Sequence, residues 1–264
     1  MKILDDNFDL KQGSAEETLF IPLYVKAKEF YHRTAIIKGM KSLEIMKQVE
    51  IDASRFDGGN ITHVGILTRT QILDDAVNGF LDKHPNGIII NLGAGLDTRL
   101  TRIDNGKVRW YDLDLPTVIK LRGNFFEESN RVKFISKSVT DLSWATDIKA
   151  EENEPLLLIA EGLLMYFSEK QVKDIVTYII DNFPNAEMYF DVVHSFFIGK
   201  SISSKFTWGI DKAREVTSLN TKIKLIEHWS IGDYNKKRQN LFLRIMNFLP
   251  STKNRSQVIH VRFS

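Results

Sequence analysis

The chain has 264 residues, 43% of them hydrophobic and 27% charged, with a formal net charge of +2 at pH 7. That composition is ordinary for a soluble globular protein, and so small a net charge gives no support to nucleic-acid binding or an acidic tail. Cysteine is absent, which excludes disulfides and cysteine-ligated metals, and the histidines show no metal-ligand spacing. The length suits one large α/β domain. The start, Met1 to Asn7, lacks a signal-peptide apolar core, and no apolar run approaches membrane-spanning length. The expectation is a cytoplasmic protein without a membrane partner. The densest basic cluster, Lys236-Lys237-Arg238, reads as solvated surface.

Residues 1–85 form a helical part. Leu19, Leu23, Ala27 and Phe30 fall on one helical face, with Pro22 marking a helix start or a kink. Lys28 neighbours Tyr24 and Tyr31 on an adjoining face and by itself reads as a snorkelling surface lysine. Gly58, Gly59 and Asn60 mark a loop. A second helix runs from about His63 to Lys83, with Ile66, Leu73, Ala76, Val77 and Phe80 as its apolar stripe and Arg69 in the middle. A guanidinium on a buried face is costly unless an anion meets it. An internal acid or a ligand carboxylate would serve equally well.

From Gly87 the period changes. Ile88–Asn91, 108–114, 132–135, 156–160 and 187–193 read as strands alternating with helical patterns. Pro116 suits the first turn of a helix, and Ser168-Glu-Lys-Gln171 is a capping box opening another. Residues 195–222 read as irregular or helical and are a candidate acceptor-side segment. Residues 222–229 and 257–263 are candidate last strands, with 241–249 helical between them. Such alternation implies a parallel sheet covered by helices on both faces.

The strand Ile88–Asn91 ends in a tight turn with Gly93 and Gly95 one residue apart, followed by Asp97. A turn there marks the edge where open α/β sheets bind nucleotide-like ligands, and glycine admits both positive φ and close approach of the ligand to bare backbone. Three acids fall at the same edge. Asp114 lies about 20 residues on, at the spacing from which one carboxylate accepts both ribose hydroxyls. Asp112 points to the same face, and Asp114 is favoured as nearer the carboxyl edge. Asp141 lies where a loop could reach an adenine amino group, and Glu161 ends the strand 156–160. Alone, each acid is more simply a cap or turn residue.

The third glycine of the dinucleotide fingerprint would fall at position 98, which is Thr98. Carboxylates crowding this edge disfavour a pyrophosphate. S-adenosylmethionine (SAM) has no phosphate, brings an ammonium and a sulfonium to the acids, and offers Arg69 a carboxylate. It fits better than NAD.

At these residues the chain resembles the leucine carboxyl methyltransferase family, in particular its bacterial branch of tetracenomycin-type polyketide O-methyltransferases. The matching pieces are Thr18-Leu-Phe-Ile-Pro-Leu-Tyr24, Lys28-Glu29, Arg69, Asn91-Leu-Gly-Ala-Gly-Leu-Asp-Thr-Arg99, Trp110-Tyr-Asp-Leu-Asp-Leu-Pro116, Ser138-Val-Thr-Asp141, Ala160-Glu-Gly-Leu-Leu-Met-Tyr-Phe167 and Trp208-Gly209. The resemblance implies a class I SAM-dependent methyltransferase fold, a Rossmann-like doubly wound seven-stranded sheet whose last strand is antiparallel, with an amino-terminal helical extension. It implies that Arg69 and Lys28 hold the methionine carboxylate, with Lys26 the alternative if the helix register slips. Gly93 and Gly95 would line the amino-acid and ribose region, Asp114 the ribose, Asp141 with Leu142 the adenine, and Glu161 the methionine ammonium or nearby backbone.

The expected reaction is SN2 methyl transfer to an oxygen of a small molecule, a carboxylate or else a phenolic hydroxyl. A carboxylate is ionised at neutral pH and needs no general base, so no catalytic base is assigned. For a phenol, His194 is the histidine to test. Tyr24 and Tyr166 are candidates for the acceptor pocket by position. The competing readings are an NAD(P)-dependent oxidoreductase and a non-catalytic SAM-binding protein. A protein substrate is disfavoured, since no extra element for gripping one is evident.

Overall fold

A computed structural model describes residues 15–49, 57–151, 153–199, 205–248 and 255–264. The chain start read above lies outside them. Seven strands form one sheet in the order β3-β2-β1-β4-β5-β7-β6. They are β1 (Ile88–Leu92), β2 (Arg109–Asp114), β3 (Val132–Ser136), β4 (Leu156–Ala160), β5 (Glu187–Val193), β6 (Ile223–Ser230) and β7 (Ser256–Phe263). β1 to β5 pair in parallel, while β7 runs antiparallel to both β5 and β6. The expected last antiparallel strand is therefore present.

β1 and β4 are buried along their whole length, which is why both read as continuous apolar runs rather than alternating ones. The pleat sends Ile88, Ile90 and Leu92 to one face, where Val172, Ile175, Val176 and Ile179 of α6 (Glu169–Asn182) cover them. Ile89 faces the opposite layer, packing with Leu73, Val77 and Phe80 of α3 (Gly59–Lys83). The capping box at the head of α6 forms as expected: the Gln171 N–H donates to Ser168 Oγ while the Ser168 N–H donates to Gln171 Oε1.

A third cluster lies over the glycine turn. Phe20 and Leu23 of α1 (Ala15–Glu29) and Ile45 of α2 (Met40–Gln48) pack with Leu96, Leu121 and Phe125. Leu121 belongs to α5 (Pro116–Arg122), and the short α4 (Leu100–Ile103) follows the turn. The helical part thus covers the carboxyl edge of the sheet.

Two readings are corrected, and one alternative is removed. Gly59 and Asn60 are not loop but open α3, whose start precedes His63. Pro22 lies inside α1 and so does not mark its start. Arg238 is not a solvated cation: its guanidinium donates to both carboxylate oxygens of Glu29 on α1. Within 195–222 the described chain forms two short 3-10 turns, Ser195–Phe197 and Ala213–Ser218. The helix expected at 241–249 is α7 (Leu241–Phe248), with Leu249 outside the described residues. Among the described residues no helix is long and apolar enough to cross a membrane.

Candidate active site

The turn after β1 takes left-handed backbone at both glycines, with φ of 64° at Gly93 and 48° at Gly95. Any side chain would be strained there, and at Gly93 a Cβ would lie 2.7 Å from Leu163 Cδ1. Asp114, at the end of β2, fixes the turn from across the sheet. Its Oδ2 accepts the Gly95 N–H at 2.7 Å, and its Oδ1 accepts the Leu115 N–H at 2.7 Å. Burial raises the Asp114 carboxyl above its usual range, with these two N–H bonds offsetting part of the shift.

Asp112, the open alternative to Asp114, is committed elsewhere. It is fully buried and accepts hydrogen bonds from Asn91 Nδ2, Trp110 Nε1 and the Arg122 guanidinium. Arg122 Nη1 also donates to the Gly95 and Asp97 carbonyls, bracing the back of the turn.

Beside the turn lies a buried charge network. Arg69 Nε donates to Glu161 Oε1 at 3.1 Å and its Nη1 to Asp191 Oδ2 at 2.8 Å. Arg99 has no exposed side-chain surface and donates to Asp74, Asp97 and Glu161. Arg102 joins through Asp74. Lys26 Nζ lies 3.3 Å from Asp97 Oδ1 and 4.0 Å from Glu161 Oε1. The four cations Lys26, Arg69, Arg99 and Arg102 thus face the four acids Asp74, Asp97, Glu161 and Asp191. Burial alone would raise the Glu161 carboxyl, but Lys26, Arg69 and Arg99 hold it below its ordinary value. Burial would likewise raise Asp97, and Arg99 and Lys26 reverse that. Arg69, which burial would weaken as a base, is held protonated by Asp191 and Glu161. Arg69 is therefore met by internal acids.

Lys28 lies outside this network, and Lys26 lies within it. The Lys28 side chain is half-exposed and pairs with Asp57 at 3.0 Å, whereas Lys26 is 3% exposed. A helix turns 100° per residue, so two residues separate a buried cation from a surface one. Tyr24 packs edge-on against His63 and beneath Lys28, while Tyr166 meets Phe206. The two tyrosines therefore have separate neighbours. Asp141, after β3, is exposed and accepts from the Ser143 N–H and hydroxyl, with Leu142 exposed beside it.

The sequence reading assigned no role to Asp74, Arg99, Arg102, Arg122 or Asp191. Asp191 carried a usable signal, an acid between Phe190 and Val192 inside a strand, because a buried carboxylate requires partners. It receives the Gly162 N–H at 2.6 Å in addition to Arg69. Arg99 stood within the quoted motif, but its burial could not be read there.

Glycines whose backbone stays bare, a strand-end acid at Asp114, and a balanced network accommodate a zwitterion, which adds one charge of each sign. This set suits the ribose and amino-acid end of SAM, a cofactor without a pyrophosphate. The fold and site define a class I SAM-dependent methyltransferase.

The model of the family described as leucine carboxyl methyltransferase matches residues 26–180. The chain belongs to the leucine carboxyl methyltransferase family. It is 27% identical over 233 residues to the tetracenomycin polyketide synthesis O-methyltransferase TcmP of Streptomyces glaucescens, covering 85% of this chain and 86% of that protein. It is 28% identical over 250 residues to the S-adenosyl-L-methionine-dependent methyltransferase dpfgK of Gibberella zeae, covering 83% and 84%. In fold it is similar to the magnesium protoporphyrin IX methyltransferase of Synechocystis PCC 6803, with a TM-score of 0.50 at 9% identity over 85% of this chain and 97% of that one. The 1,6-didemethyltoxoflavin-N1-methyltransferase of Burkholderia thailandensis gives a TM-score of 0.50 at 13% identity, over 74% and 78%.

Proposed function

We propose that this methyltransferase acts on an oxygen of a small organic acid, forming a methyl ester. SAM supplies a methyl group on a sulfonium sulfur, which is a good leaving group. On this reading Gly93 and Gly95 present backbone to the cofactor, Asp114 accepts its ribose hydroxyls, and Asp141 with Leu142 borders its adenine. Arg69, with Lys26 in place of Lys28, faces the methionine carboxylate, and Glu161 the ammonium. The α1–α2 layer over the turn excludes water, and alignment supplies the rest of the rate enhancement.

The observation carrying the choice of acceptor is the state of Asp97 and Glu161, the acids of the buried network, since Asp114, which burial raises, already accepts the Gly95 and Leu115 N–H groups. Asp97 and Glu161 are held below the usual carboxylate range by buried cations, so they are poor proton acceptors. An acceptor that arrives ionised needs none. The O-methyltransferase named among the relatives supports transfer to oxygen.

A phenolic acceptor is the second reading, favoured by one feature. His194, just beyond the carboxyl end of β5, has Nδ1 3.1 Å from Asp211 Oδ1, an arrangement that can leave Nε2 as a base. The Phe196 N–H competes for the same nitrogen at 3.1 Å, and that favours the tautomer with a protonated Nε2.

The test uses methyl-labelled SAM with a metabolite extract and mass spectrometry of the labelled products. Label released as methanol by mild alkali marks a methyl ester and supports the proposal. Alkali-stable label whose formation is lost in His194→Ala establishes the phenol reading instead.

A further inference from the structure

A cavity lies at the far side of the sheet from the glycine turn. Its volume is about 290 Å³, and it sits between the carboxyl half of α3 and the strands β5, β6 and β7. Glu187, in its lining, is the first residue of β5, whereas the glycine turn follows the last residue of the parallel strand β1. The two sites therefore occupy opposite edges.

Aromatic rings make one wall. Tyr189 stacks on His260 with centroids 4.0 Å apart and lies nearly parallel to Trp229 at 5.9 Å. Tyr234 and Phe80 extend the lining. The acids are Asp75 and Glu187, and Lys83 at the rim is exposed. Glu187 is already used, receiving His260 Nε2 at 2.8 Å and the Arg262 guanidinium. Asp75, exposed at the rim, has no hydrogen bond or ion pair among the described residues.

The other wall contains Gly79, in the interior of α3. Helical glycine costs about 1 kcal/mol relative to alanine. Nothing lies within 4 Å of the place a Cβ would occupy there, so packing against a neighbour does not explain the residue. Gly79 is exposed, and a side chain placed there would project into open space beside the cavity.

An aromatic wall with an unpaired carboxylate recognises a cation through ring faces and charge together. A cavity this small admits only a compact body. We infer that this cavity is a second binding site, for a small organic ammonium ion. It is separate from the methyl-transfer edge and does not depend on which acceptor that edge takes.

The test is calorimetric titration of the full chain with choline and with its uncharged isostere 3,3-dimethylbutan-1-ol. Choline is expected to bind in the millimolar range, and the isostere at least about fivefold more weakly, the ratio for roughly 1 kcal/mol of charge recognition. Asp75→Asn is expected to weaken choline by a similar factor. Gly79→Leu should abolish choline binding while the melting temperature holds or rises and S-adenosylhomocysteine still binds, which separates a filled cavity from a misfolded chain. Equal binding of choline and the isostere, no binding of millimolar choline, or unchanged binding in Gly79→Leu would overturn the inference. A change in sedimenting mass in Gly79→Leu would also overturn it, by marking the cavity as a contact between copies of the chain.

Discussion

Replacing Asp114 by asparagine tests the link between the end of β2 and the glycine turn. Both carboxylate oxygens accept backbone N–H groups at 2.7 Å, from Gly95 and from Leu115. A hydrogen bond to a charged acceptor contributes about 1.5–3 kcal/mol. Asparagine keeps one acceptor and turns an N–H₂ toward the other donor, so one such bond is lost. Burial already disfavours the Asp114 charge, so removing that charge returns part of the loss. The net cost to folding should be about 1–2 kcal/mol, read by urea denaturation. Cofactor affinity should fall further, because the ribose acceptor is weakened and Gly95 loses the bond that pins its left-handed backbone. A decrease of at least about tenfold, or 1.4 kcal/mol, is expected for S-adenosylhomocysteine by calorimetry. A folded Asp114→Asn protein with wild-type affinity would refute the reasoning and return Asp114 to the role of a turn residue.

Arg69→Ala leaves Glu161 and Asp191 short of a buried partner and should cost about 3–5 kcal/mol of stability by chemical denaturation. Cofactor binding measured on the folded fraction should weaken at least about tenfold, and unchanged affinity would leave Arg69 a structural residue only. Lys26→Met should lower both stability and cofactor affinity, whereas Lys28→Met, which breaks only an exposed pair, should change stability by less than about 1 kcal/mol in a melting experiment. The reverse pattern would restore Lys28 to the site. The Glu187 carboxyl is held down to about 2, from 4.5, chiefly by the His260 hydrogen bond. Because its folded pKa is depressed, its contribution is complete above about pH 4.5 and is lost as pH falls toward 2. Glu187→Gln should therefore flatten the stability profile in that acid window, as followed by urea midpoints against pH.

The sheet was legible because its signals are local. Continuous apolar runs at Ile88–Leu92 and Leu156–Ala160 mark strands buried on both faces, and the Ser168–Gln171 pattern marks a helix start without reference to any neighbour. Gly93, Gly95, Asp114 and Glu161 could be gathered at one edge because parallel strands send all their carboxyl ends the same way.

What the sequence left open is long-range pairing. Whether Arg69 meets an internal acid or a ligand depends on Asp191, 122 residues away. Whether Lys26 or Lys28 turns inward depends on how α1 seats over the glycine turn. Asp112 and Asp114 lie on one face of one strand, yet Arg122 claims the first and the Gly95 N–H the second. Sequence spacing fixes which elements form and which end of each faces the ligand. The partner of each buried charge is chosen by packing, because burial leaves a charge no water to fall back on and only tertiary neighbours can compensate it.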